Sequence, residues 1–129
     1  MILLDTHTWF WWVATPELLP DNHRKLLDQI GDTLAVSMIS LWGVALLQSK
    51  KRIELPKPIA EWFELATVGS GTNVIDITRE VTIEANNLPG VFHKDPADRM
   101  IVATSRILNS PILTSDDKIL KYSFVEKAL

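Results

Sequence analysis

HKDPADRMIVATSRILN, residues 93–109, is the stretch on which the fold turns. Met100, Ile101, Ala103, Ile107 and Leu108 recur at a spacing that suits a helix packed on a core. Asp95 stands where an N-cap belongs, and Pro96 fits the first helical turn because its ring already fixes a helical φ. Asp98 falls within that turn, where the helix dipole favours an acid. A capped helix alone accounts for both carboxylates. They gain interest because other short apolar runs in the chain also end in acids.

The run Ile2-Leu3-Leu4 reads as a buried strand and stops at Asp5-Thr6. Ile112-Leu113-Thr114 is a similar strand running into Ser115-Asp116-Asp117, followed by a brief helix over Lys118 to Tyr122 and a tail from Phe124 to Leu129 with a little apolar content. His7 to Ala14 holds Trp9, Phe10, Trp11 and Trp12, a helix apolar almost all round, suited equally to the deep core or to a protein-contact surface. Asp21 to Ile30 reads as a helix with Leu26, Leu27 and Ile30 on its apolar side and His23 solvated. After a Gly31-Asp32 turn, Leu34-Ala35-Val36 is a second strand, and Ser40 is expected to cap a helix to about Lys50.

Gly43 is the odd residue of that helix. An interior Gly costs about 0.5–1 kcal/mol relative to Ala, and it lies three residues after Ser40, where a capping box would place Glu or Gln. Lys50-Lys51-Arg52 closes the helix with charge that its dipole favours. Pro56 and Pro58 then break the chain before a helix over Ile59 to Val68, a short strand around Val74-Ile75 and a helix over Arg79 to Asn87.

Nothing divides the 129 residues, so one domain over 1–129 is expected, and 47% hydrophobic with 22% charged residues is the composition of a folded domain with a sizeable core. With no cysteine, any metal must be held by oxygen or imidazole. The start of the chain has no basic leader and nowhere is there an apolar run of about 18 residues, so a cytoplasmic protein is expected. A net charge of −3 does not advertise a nucleic-acid binder. A polyanionic substrate would need bound cations and local Lys/Arg to offset the acids.

Helices alternating with short apolar strands give an α/β domain with a central, mainly parallel sheet. Sites in such sheets lie beyond the carboxyl ends of the strands. Asp5 and Asp116 each follow a strand, and Asp98 starts the helix between, so three carboxylates distant in sequence can converge. Clustered acids are costly unless a cation sits among them, and oxygen ligation suits Mg2+ or Mn2+. Phosphodiester hydrolysis is one common use of such a site.

MILLDTHTWFWW, SMISLWGVALLQSKKRI, HKDPADRMIVATS and PILTSDDKI, in this order and covering nearly the whole chain, resemble the PIN-domain family, and within it the VapC-type ribonuclease toxins of toxin-antitoxin pairs. The resemblance implies a three-layer PIN-like fold, a Mg2+ or Mn2+ site, endonucleolytic cleavage of RNA, a cognate antitoxin and a homodimer. Asp5, Asp98 and Asp116 match three acidic metal-site residues of the family. Asp95 is placed to assist through a water, and Asp117 as a solvated neighbour. Thr6 and Thr114 stand beside site acids, to orient them or to stabilise turns. Arg99 is assigned equally to phosphate or to a neighbouring acid, while His7 and His93 are read as capping or surface residues. Trp9 and Trp12, with Trp42, are candidates for the groove where an antitoxin segment docks.

Gly43 departs from the pattern, since the family has Glu there. The expected function is a metal-dependent endoribonuclease toxin impaired at this position; the alternative is a PIN-fold module that binds antitoxin or RNA without turnover. A phospho-acceptor signalling domain also gathers carboxylates at strand ends, but the middle of this chain offers Lys51-Arg52-Ile53-Glu54-Leu55-Pro56 where an acceptor Asp would stand.

Overall fold

A computed structural model describes residues 1–29 and 33–129. The expected helix end at Ile30 and the Gly31-Asp32 turn lie outside the described residues. Four parallel strands form the sheet: β1 (Ile2–Leu4), β2 (Leu34–Ser37), β3 (Thr72–Ile75) and β4 (Ile112–Leu113), in the spatial order β3-β2-β1-β4. Leu3 is paired with Ala35 on one side and Ile112 on the other, and Leu4 with Val36 and Leu113. Every residue of β1, β2 and β4 is buried, as expected of parallel strands covered by helices on both faces.

The helices are α1 (Thr6–Ala14), α2 (Asp21–Gln29), α3 (Met38–Ser49), α4 (Ile59–Ala66), α5 (Arg79–Ala85), α6 (Pro96–Leu108) and α7 (Asp117–Leu120). Alternate strand residues face opposite layers. Leu3, Ala35 and Ile112 pack with Val81 and Ala85 of α5 and Ile101 and Val102 of α6. Ile2, Leu4, Val36 and Leu113 pack with Trp9, Val44, Trp62 and Ala66 from α1, α3 and α4. The result is the helix-sheet-helix sandwich that the strand and helix pattern predicts.

Trp9 settles the role of the aromatic helix. It is fully buried, its indole Nε1 donates to the Ala66 carbonyl at 2.8 Å, and its ring meets Trp62 edge-on with centroids 5.4 Å apart. Trp12 is half-buried against the same cluster, whereas Trp42 is 57% exposed. Of the three tryptophans proposed for a docking groove, Trp9 therefore belongs to the core.

Two local expectations are corrected. Ser40 does not cap α3; Ser37, the last residue of β2, does so by accepting the Ile39 amide at 3.2 Å. The strand passes into the helix with no loop between, so the cap falls three residues earlier. Ser40 is instead buried, its hydroxyl 2.8 Å from that of Thr6, which joins α3 to α1. The capping-box position is then Ser40 itself, and the local argument for an acid at Gly43 falls away. His23, expected in solvent, is buried on α2, and its Nδ1 has no hydrogen-bond partner among the described residues. Burial pulls the imidazole pKa down, with Asp5 opposing.

The tail also does more than its composition suggests. Ile112 donates its amide to the Glu126 carbonyl and accepts the Ala128 amide, each at 2.9 Å, so the chain end lies along β4. Among the described residues, no helix is long and apolar enough to cross a membrane.

Candidate active site

From β1 the chain builds outward through β2 to β3, while β4 lies on the other side of β1. The crevice beyond the carboxyl ends of β1 and β4 is thus the switch point where open parallel sheets hold ligands. Asp5 follows β1 directly and caps α1. It is 6% exposed; Oδ1 accepts the Thr8 amide at 2.8 Å, and Oδ2 accepts the Thr114 hydroxyl. Thr114 Oγ1 in turn accepts the Asp116 amide at 2.9 Å. Asp116 caps α7, its Oδ1 accepting the Lys118 amide at 2.9 Å. Asp5 and Asp116 line a common cavity of about 310 Å³ with His7, Trp11 and Ser115.

Asp98 enters from the first turn of α6. Burial, then the neighbouring charges of Asp95, Asp116 and Asp5, push its carboxyl up to about 6, against the pull of His93. Three acids separated by most of the chain therefore act on one another electrostatically. Asp95 is exposed and caps α6, accepting the Asp98 amide at 3.0 Å. Cap and cluster coexist: Asp5, Asp95 and Asp116 each spend one carboxylate oxygen on a helix N-terminus. Asp117 is solvated, 3.4 Å from Lys121.

Arg99 pairs with backbone carbonyls and with no neighbouring acid among the described residues. Its Nε donates to the Ala85 carbonyl at 2.7 Å, and one terminal nitrogen donates to the carbonyls of Phe92 and His93 at 3.0 and 3.1 Å. It fastens the segment before α6 to the end of α5. His93 so held is not a surface residue: its Nε2 lies 2.9 Å from Asp98 Oδ2, with the side chain 22% exposed. The approach is off the direction of a hydrogen bond, so the two groups meet at close range without one. No periodicity in the sequence signals this pair, because His93 precedes the helix and is placed by Arg99. His7 is exposed beside Trp11. Thr114 orients site acids, whereas Thr6 bonds Ser40.

Gly43 is half-buried in α3, and a Cβ built on it would meet only the Thr6 methyl, at 3.7 Å. That is ordinary van der Waals contact, so packing does not demand glycine here. A side chain at this position would leave α3 beside the residue that follows Asp5.

Among the described residues, no three acidic or imidazole side chains are gathered into a ready coordination shell. The donor set nonetheless suits a hard divalent cation. Asp5, Asp98 and Asp116 offer carboxylate oxygens, and the repulsion that raises Asp98 is what a cation relieves.

Residues 2–125 match the family model of the PIN domain. Ribonuclease VapC22 of Mycobacterium tuberculosis (strain ATCC 25618 / H37Rv) is 34% identical over 118 residues, which span 92% of this chain and 88% of that protein. A toxin-antitoxin complex from Klebsiella pneumoniae contains a similar chain, with TM-score 0.67 and 17% identity over 97% of this chain and 95% of that one. VapBC2 from Rickettsia felis, crystallised with a DNA fragment from its promoter, gives TM-score 0.71 and 19% identity over 98% of this chain and 97% of the other. At such identities these two structures speak for the fold, the PIN-like α/β arrangement that the sequence led one to expect.

Proposed function

The chain belongs to the PIN-domain family, homologous to VapC ribonuclease toxins, and from this premise we propose a VapC-type endoribonuclease toxin whose site is weakened at Gly43. The observation that carries the reading is the electrostatic convergence of Asp98 with Asp5 and Asp116 at the switch point of the sheet. Mg2+ or Mn2+ held by Asp5, Asp98 and Asp116, with Asp95 assisting, would supply Lewis-acid stabilisation of the scissile phosphate and activate the attacking water.

The chain's own residues prepare that site. Thr114 fixes the rotamer of Asp5 and ties it to Asp116, so two of the acids are held before any ligand arrives. His93 places an imidazole against Asp98 Oδ2 and tempers the repulsion around it. A glutamate in place of Gly43 would add a fourth carboxylate from α3. Without it the family's acid set is incomplete, and cation affinity and turnover fall while the fold stands.

The partner proposed is an antitoxin segment, with a homodimer as the assembled toxin. Both structural relatives are toxin-antitoxin assemblies. An apolar cavity of about 590 Å³ beside Asp95, walled by Met38, Ile39, Trp42, Leu46 and Ile77, offers such a segment its apolar contact. Trp42 takes the role that Trp9, being buried, cannot.

The test is cleavage of RNA by the chain and by Gly43→Glu in Mg2+ or Mn2+, with Asp98→Asn added to the variant as control. Activity restored by Gly43→Glu and abolished by Asp98→Asn is the expected result. Folded but silent proteins in all three cases would favour the second reading, a PIN-fold module that binds antitoxin or RNA without turnover; the room left at Gly43 with no acid to fill it is the observation behind that reading.

A further inference from the structure

We propose that the cavity between the segment before α6 and the end of α7 binds one nucleotide of single-stranded RNA, as a subsite flanking the bond that is cut; this rests on the ribonuclease reading above. The cavity is about 330 Å³, within the range of ligand pockets, and is walled by Phe92, His93, Tyr122 and Phe124 and edged by Lys118 and Lys121.

Its aromatic rings touch in series, tilted to one another by 63°, 50° and 56° along the wall. Ring centroids lie 4.6 Å apart for Phe92 and His93, 4.8 Å for Phe92 and Tyr122, and 5.7 Å for Tyr122 and Phe124. The wall is also held in place. The Tyr122 hydroxyl donates to the Pro89 carbonyl, Arg99 holds the carbonyl of Phe92, and Phe124 lies on Gly90, whose φ of +67° and lack of a Cβ let the ring approach. A Cβ at Gly90 would come within 2.9 Å of that ring. Phe124 is nevertheless 48% exposed and Val91 at the lip is 95% exposed. Tyr122 is buried in the core and Phe92 half-buried against it, so the Phe124 ring, fixed from behind on Gly90 and open in front, is the face on which a base can stack.

The charge is complementary to RNA. Lys118 has no ion pair among the described residues, and Lys121 has only Asp117, a pair exposed enough for a phosphate to displace at little cost. This is the local cation supply that a chain of net charge −3 needs beside three acids if a phosphate backbone is to approach. The position is right as well. His93 lines the cavity and touches Asp98, and the Lys118 amide is bonded to Asp116 Oδ1. Rings combined with lysines favour an unpaired strand, because the bases of a duplex are already stacked on one another and cannot reach the wall.

The experiment is fluorescence anisotropy of a short labelled single-stranded RNA, and of the duplex of the same sequence, with the full chain in Ca2+ at several salt concentrations. Phe124→Leu keeps the apolar contact with Gly90 but removes the ring. It should weaken single-strand binding roughly tenfold with an unchanged salt slope. Lys118→Ala with Lys121→Ala should weaken it and lower the salt slope by about two. Lys57→Ala, beyond the far end of α3, is the control, and thermal melts verify folding. RNA binding that survives both changes overturns the subsite while leaving the ribonuclease reading intact. So does RNA cleavage by Gly43→Glu with KM unaltered by either change. Equal losses for duplex and single strand overturn the stacking role, and a parent chain that binds no RNA, with Gly43→Glu inactive, overturns both proposals together.

Discussion

Thr114 donates its hydroxyl to Oδ2 of Asp5, a residue 109 positions earlier in the chain, and accepts the Asp116 amide on the same oxygen. One side chain just past the last strand thus sets two acids that come from opposite ends of the sequence. Partners of this kind hold carboxylates in the orientation a cation needs. Thr114→Val, made in Gly43→Glu, is expected to lower cleavage or Mn2+ affinity roughly 10- to 100-fold. It should also cost about 1–3 kcal/mol of stability, because Asp5 Oδ2 is left buried without its donor. Thr114→Ser should recover most of both; activity unaffected by the valine would remove Thr114 from the site.

The Asp98 carboxyl sits at about 6 in the fold against an ordinary 3.8, so the folded protein holds this proton more tightly than the unfolded chain does. Its contribution favours the fold fully below about 3.8 and is lost as pH rises through about 6. In chelator, Asp98→Asn should therefore melt higher than the parent at pH 7 and about equally at pH 4. The gain is roughly 1 kcal/mol after allowing for solvent screening, and a divalent cation should reverse the order. A parent that melts as high as Asp98→Asn at pH 7 in chelator would remove the repulsion from the account.

Gly43→Ala tests whether packing requires the glycine. The added methyl meets only Thr6, at ordinary contact distance, and an interior Ala gains about 0.5–1 kcal/mol over Gly. A rise in chemical-denaturation midpoint with no gain in cleavage is expected. Loss of stability would mean that α3 needs glycine for its approach to α1.

Arg99 carries three carbonyls, those of Ala85, Phe92 and His93. Arg99→Met should cost about 1–3 kcal/mol and speed amide hydrogen exchange in residues 86–95. Unchanged exchange together with lost RNA binding would instead make Arg99 a phosphate contact.

Trp42 is exposed at an apolar cavity, so Trp42→Ser should leave the melting temperature within a degree or so, because little buried contact is lost. Affinity for the antitoxin segment should fall by about tenfold or more, as for an aromatic anchor. Undiminished affinity in a pull-down titration would place the docking surface elsewhere.

The amino-acid sequence by itself determined the strands at Ile2–Leu4, Leu34–Ser37 and Ile112–Leu113, the cap at Asp95, and the start of α6. Each is encoded within a few residues by apolar runs, turn formers and side chains that satisfy open helix amides. The acids of the candidate site were legible for the same reason, since each follows a strand or opens a helix. Tertiary structure alone decided which tryptophan is core, that Ser37 rather than Ser40 caps α3, that His23 is buried, that the tail joins β4, and that Arg99 holds backbone while His93 meets Asp98. Those outcomes depend on the order β3-β2-β1-β4 and on how the layers pack. They are fixed by contacts between residues far apart in sequence, which no local spacing records.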